Sequence, residues 1–137
     1  MRVIVDANVW SEALRKREGD KSPEVLELIE LIRESRVQMI GLIRMEILSG
    51  IRDKNRFRLL EKRISAFPDL PLDSEVFVAS ARFFNTCRES GIQGSNTDFV
   101  ICACSWRWKM PILTKDKDYP YYRRHLPISL HVPRAQG

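Results

Sequence analysis

Four carboxylates stand where a bare acid is otherwise awkward. Asp6 ends Val3-Ile4-Val5, three β-branched apolar residues that read as a fully buried strand. Glu46 is the only acid in the largely apolar stretch 41–51, with Gly50 four residues on and on the same helical face. Asp98 opens a helix after the chain break Gly91-Ile92-Gln93-Gly94, and Asp116 follows Ile112-Leu113-Thr114, with Asp118 two residues later. Each acid has an ordinary use. Asp6, Asp116 and Asp118 suit turns, Ser95-Asn96-Thr97-Asp98 fits a capping box, and Glu46 can snorkel to solvent. Those separate uses do not account for the joint pattern.

In a parallel sheet, the carboxyl ends of the strands and the starts of the following helices share one edge, where ligand crevices open. Asp6, Glu46, Asp98 and Asp116 all fall at that edge. Four carboxylates brought together there cannot all stay ionised unaided, because mutual repulsion raises their pKa values. Mg²⁺ or Mn²⁺, which take oxygen ligands, relieve that repulsion. Two such ions, about 3.5–4 Å apart, polarise a phosphodiester and generate hydroxide for in-line attack. Histidine and cysteine offer no competing site. His125 and His131 lie in a basic, proline-bounded tail and are expected at the surface. Cys87, Cys102 and Cys104 are odd in number and lack a C-x-x-C spacing, so buried, reduced thiols are expected rather than zinc or disulfides.

The elements that position the acids alternate. After the first strand come a helix carrying Val9, Trp10 and Leu14 and a polar loop over residues 15–21. Ser22-Pro23 starts a helix whose stripe is Val25, Leu28, Ile29 and Ile32, running to about Arg36. A short strand at 37–40 precedes a helix over 42–51. Phe57, Leu60, Ile64 and Phe67 mark one face of a basic helix, and residues 69–72 form a proline-limited strand at best. Ser74 caps a helix with Val76, Ser80, Phe83 and Cys87 on one side, and another helix covers 97–108. Strands at 111–114 and 128–132 flank a charged, aromatic loop over 115–124. The pattern predicts an α/β fold in one domain over residues 1–137: a three-layer α/β/α sandwich with a central, mostly parallel sheet of about four or five strands.

Composition agrees with a globular chain, 44% hydrophobic and 30% charged. No stretch approaches the roughly 18 apolar residues of a membrane span, and no signal-peptide layout is present, so a cytoplasmic location without membrane contact is expected. The net charge is +5 and uneven. Residues 52–63 are rich in Lys and Arg, as is the set Arg107, Lys109, Lys115, Lys117, Arg123 and Arg124. Such an excess permits a polyanionic partner through counterion release, although a solvated helix face explains it equally well. Trp10, Phe57, Trp106, Trp108 and Tyr119-Pro120-Tyr121-Tyr122 exceed what a small core needs, and some are expected at a protein-binding surface.

Four segments carry a family resemblance. They are Val3-Ile4-Val5-Asp6-Ala7-Asn8, Arg44-Met45-Glu46-Ile47-Leu48-Ser49-Gly50-Ile51-Arg52, Gly91 with Asn96-Thr97-Asp98-Phe99-Val100-Ile101-Cys102-Ala103, and Ile112-Leu113-Thr114-Lys115-Asp116-Lys117-Asp118-Tyr119. In this order and at these separations the chain resembles the PIN-domain nucleases, and within them the VapC toxins of toxin–antitoxin pairs. The resemblance implies that Asp6, Glu46, Asp98 and Asp116 are metal ligands, with Asp118 an accessory carboxylate. It implies that Asn8 and Thr114 position those groups or the substrate. It further implies metal-dependent endoribonuclease activity, a homodimer, and a cognate antitoxin that blocks the site. The chain departs from the family pattern at its second glycine, Gly94, and in a helix carrying Cys102, Cys104, Trp106 and Trp108.

The reading is an Mg²⁺- or Mn²⁺-dependent ribonuclease. Asp6 and Asp98 hold the first ion, Glu46 and Asp116 complete the cluster, and Arg44, Lys115 or Lys117 position the RNA backbone. A catalytically silent nucleic-acid- or protein-binding module on the same fold is the alternative. A phosphoryl-transfer protein fits less well, because Asp6 is followed by Ala7-Asn8 rather than a second acid.

Overall fold

The computed structural model describes residues 1–15 and 19–134. Val3–Val5 forms β1, and none of its three side chains is exposed. Successive side chains in a strand point to opposite faces, so both faces of the sheet are covered. Burying such a side chain stabilises the fold by roughly 1.5–3 kcal/mol. β1 is central: it pairs in parallel with β2 (Val37–Gln38) on one side and β3 (Ile112–Leu113) on the other. Val3 stands opposite Val37, and Val5 opposite Leu113.

Among the described residues, the sheet has three strands rather than four or five. Two further segments only touch it. At 69–72 the contact is a single bridge, Met39 to Asp69, with the Leu70 N–H donating to the Met39 carbonyl at 3.0 Å. Pro71 then has no N–H to extend the ladder. Residues 128–132 run beside β3 through one bridge, Ile112 to Leu130, between Pro127 and Pro133.

Seven helices among the described residues surround the strands: α1 (Ala7–Leu14), α2 (Pro23–Arg33), α3 (Gly41–Leu48), α4 (Lys54–Ile64), α5 (Ser74–Glu89), α6 (Asn96–Trp108) and α7 (Tyr119–Arg123). Their starts follow local chemistry. Ser22 caps α2 by accepting from the Val25 N–H, with Pro23 at its first position. Asp73, not Ser74, caps α5. The buried face of α2 is Val25, Leu28 and Leu31, with Glu27 buried among them, whereas Ile32 is exposed. Leu60 and Ile64 anchor α4, and Phe67 packs edge-on against Trp10 at 5.1 Å. The loop expected over 15–21 lies partly outside the described residues. The loop expected over 115–124 instead contains α7, whose Tyr119 and Tyr122 are fully buried. The aromatic residues therefore divide between core and surface, with Trp106 and Tyr121 exposed and Trp10 buried. The three cysteines are free and buried. No described helix is long and apolar enough to cross a membrane.

Candidate active site

Strand order β2-β1-β3 places the topological switch beside β1, at the carboxyl ends of β1 and β3, the edge where ligands bind in open α/β sheets. Asp6 stands there as the N-cap of α1, accepting from the Ala7 N–H through Oδ1 at 2.8 Å. Its Oδ2 accepts from the Thr114 hydroxyl at 2.8 Å and from Asn8 Nδ2 at 3.3 Å. Thr114 Oγ1 in turn accepts the Asp116 N–H at 3.0 Å, and Asn8 Oδ1 accepts the Lys115 N–H at 3.1 Å. Asn8 and Thr114 thus join the end of β1 to the loop after β3. Asp116 Oδ1 accepts the Asp118 N–H at 2.9 Å, and the Asp118 side chain is exposed.

Asp98 lies in the first turn of α6. Ser95 Oγ accepts its N–H at 3.1 Å, so the capping serine is in place. The Asp98 carboxylate meanwhile accepts from the Tyr122 hydroxyl at 2.8 Å. Glu46, in the last turn of α3, is exposed, because α3 buries only Ile43 and Ile47.

Electrostatics draws these acids together. Burial pushes the Asp6 carboxyl up, the Thr114 and Ala7 hydrogen bonds hold it down, and the charges of Asp98 and Asp116 raise it again; the net direction is upward. Asp98 is raised by burial and by Asp116 against the bonds from Tyr122 and Ser95. Glu46 is raised by partial burial and by Asp6 and Asp98. The four acids therefore share one field. They do not form the close cage that the sequence suggests: among the described residues, no three metal-ligating side chains close on a single ion position.

The donor set fits a hard divalent cation. Asp6 is buried, and every hydrogen-bond donor to it is neutral. Among the described residues, Asp6, Glu46, Asp98, Asp116 and Asp118 form no ion pair, although Glu12, Glu27 and Asp69 do so in the same basic chain. A buried carboxylate without a cation is costly. Mg²⁺ commonly uses one or two carboxylates and keeps several waters, so an open set of oxygen ligands suits it.

The basic residues expected near substrate divide. Arg44 is engaged elsewhere, its guanidinium donating to the carbonyls of Ile64 and Phe67 and to Asp69 Oδ1, which secures the C-terminal end of α4. Lys115 pairs with Glu12, and Lys117 is exposed. His131, expected at the surface, lies 2.6 Å from buried Glu27, which also binds Arg134. Sequence reasoning missed Tyr122, whose contact with Asp98 spans 24 positions; only the unusual Tyr-Pro-Tyr-Tyr run marked the place.

Comparison with known proteins agrees with this architecture. The PIN domain profile matches residues 3–124. The chain is 30% identical over 124 residues to VapC ribonuclease Mb1587 of Mycobacterium bovis, covering 89% of this chain and 92% of the relative. Ribonuclease VapC11 of Mycobacterium tuberculosis matches at the same identity and coverage. Among solved structures, FitAcB from Neisseria gonorrhoeae superposes with a TM-score of 0.76 at 17% identity, over 98% of this chain and 99% of the other. VapBC2 from Rickettsia felis, bound to a DNA fragment from their promoter, superposes with a TM-score of 0.75 at 14% identity, over 96% and 98%. With the four sequence segments in order and the acids at the carboxyl edge of a β2-β1-β3 sheet, this chain belongs to the PIN domain family.

Proposed function

We propose that this protein is a cytoplasmic, Mg²⁺- or Mn²⁺-dependent endoribonuclease, the toxin of a toxin–antitoxin pair. The observation that carries this reading is Asp6 itself: in a chain of net charge +5 it is buried at the sheet edge with only neutral hydrogen-bond donors, and the charges of Asp98 and Asp116 act on it. Asp6, Glu46, Asp98 and Asp116 would hold the metal, with Asp118 beside them. A bound divalent ion supplies an activated water and stabilises charge on the phosphodiester oxygens. Asp6 keeps its orientation through Ala7, Asn8 and Thr114, and its burial keeps its field strong. Lys117 is exposed beside Asp116 and can meet the phosphate backbone, and Lys115 can do so if its pair with Glu12 opens. The likeness to VapC ribonucleases supports RNA as substrate, and the likeness to the FitAcB and VapBC2 structures supports an antitoxin partner; a homodimer completes the proposal. Cleavage of single-stranded RNA with Mg²⁺ or Mn²⁺ tests the reading. Activity should vanish with EDTA and in Asp6→Asn and Asp98→Asn; activity surviving both substitutions overturns the assignment.

A further inference from the structure

Gly94 has a reason to be glycine that its backbone does not supply. Unlike Gly91, which has φ +76°, it does not occupy the left-handed region. A Cβ there would lie 2.3 Å from the Tyr122 hydroxyl oxygen, 2.9 Å from its Cζ and 3.0 Å from Phe99 Cζ. The missing side chain is the space in which the phenol sits. Tyr122 has no exposed surface, and its ring packs against Phe99 at 5.0 Å and Tyr119 at 5.1 Å. Its hydroxyl is fixed by that packing and donates to Asp98 Oδ2 at 2.8 Å. Burial alone does not force such a bond in this chain, since the neighbouring Tyr119 hydroxyl is buried with no partner among the described residues.

We propose that Tyr122 is a positioning residue for Asp98 and that Gly94 is its seat. By occupying Oδ2, the phenol fixes the rotamer of the carboxylate and leaves Oδ1 as the oxygen available to a divalent cation. This rests on the reading of Asp98 as a metal ligand. Partners that orient a ligand typically change metal affinity by about 10–100-fold when removed. Tyr122→Phe keeps the ring and deletes only the donor. Gly94→Ala keeps the donor and displaces it. The two changes therefore converge on one effect from opposite sides.

The test is Mn²⁺ titration followed by the EPR signal of free Mn²⁺, on wild type, Asp98→Asn, Tyr122→Phe, Gly94→Ala and the Gly94→Ala/Tyr122→Phe double variant. Circular dichroism melting of each reports folding separately. Asp98→Asn should bind most weakly. Tyr122→Phe and Gly94→Ala should each weaken Mn²⁺ by about tenfold or more, and the double variant should lose no more than the worse single, since all remove one contact. Should Asp98→Asn lose Mn²⁺ while Tyr122→Phe binds as wild type, the positioning role is overturned and the site reading stands. A lower melting temperature in Tyr122→Phe with unchanged Mn²⁺ affinity likewise reduces the tyrosine to a packing residue. If Asp98→Asn binds Mn²⁺ as wild type does, both the site reading and this inference fall.

Discussion

The Thr114 hydroxyl donates to Asp6 Oδ2 at 2.8 Å, tying the loop after β3 to the acid that ends β1, 108 positions earlier. Thr114 Oγ1 also accepts the Asp116 N–H at 3.0 Å. One hydroxyl thus sets two of the acids against each other, and its removal should be felt at both. Thr114→Val deletes a bond to a charged group, of a kind worth about 1.5–3 kcal/mol. The Asp6 carboxyl should rise further, because that bond holds it down. Carboxyl NMR titration should show the rise in Thr114→Val and its absence in Thr114→Ser, and RNA cleavage should follow the same order.

Asp98→Asn should stabilise the metal-free protein while abolishing its response to Mg²⁺. The substitution removes one charge from a field that raises Asp6 and Glu46. A ligand at a hundred times its Kd adds about 2.7 kcal/mol to a native state that alone binds it. Differential scanning calorimetry with EDTA and with excess Mg²⁺ should show a gain of several degrees for wild type and none for the variant. An equal Mg²⁺ shift in both would remove Asp98 from the metal site.

The pH dependence of stability should carry opposite signs at two places. Asp6, Glu46 and Asp98 have folded-state pKa values above their ordinary ones. Between the ordinary and raised values the folded chain holds more protons than the unfolded one, so stability falls as pH rises through that window. In EDTA this loss should be visible above about pH 4, the ordinary carboxyl range, and Mg²⁺ should offset it.

Glu27 behaves in the other sense. Burial works against its charge, but hydrogen bonds from His131 and Arg134 outweigh it and hold the carboxyl below the ordinary value. Its contribution is present above the ordinary glutamate pKa and lost as pH falls through the depressed one. Glu27→Gln should therefore flatten the acid limb of urea-denaturation stability. It should cost about 1–3 kcal/mol near neutrality, where charge-assisted bonds are lost.

Arg44 should prove a stability residue. Its guanidinium donates to two carbonyls and to Asp69 at once, a fork that lysine cannot reproduce. Arg44→Lys should lower the urea midpoint by an amount equivalent to about 1–3 kcal/mol. The folded fraction should cleave RNA with its KM unchanged. A raised KM in fully folded Arg44→Lys would restore the substrate role that the sequence suggests.

Local periodicity made the edge of the sheet legible. Val3-Ile4-Val5 and Ile112-Leu113 announce buried strands, and Ser95 announces the start of α6, so Asp6, Asp98 and Asp116 could be assigned to one side. Side-chain partners drawn from distant segments were not legible. Arg44 reads as a free cation until the carbonyls after α4 are seen to receive it, and His131 reads as surface until Glu27 is seen beneath it. The strand count was overstated because 69–72 and 128–132 have strand-like composition, whereas prolines confine each to one bridge. Glu46 stands in a largely apolar stretch, yet α3 is a short helix that buries only Ile43 and Ile47 and leaves Glu46 exposed.

β1 precedes the other described elements in the chain but is the middle strand of its sheet, with the much later β3 as a neighbour. A growing polypeptide that has emerged only as far as α6 therefore carries Asp6, Glu46 and Asp98 without the segment that braces Asp6 and brings Asp116. The brace on Asp6, and Asp116 with it, arrives only once the loop after β3 has been made.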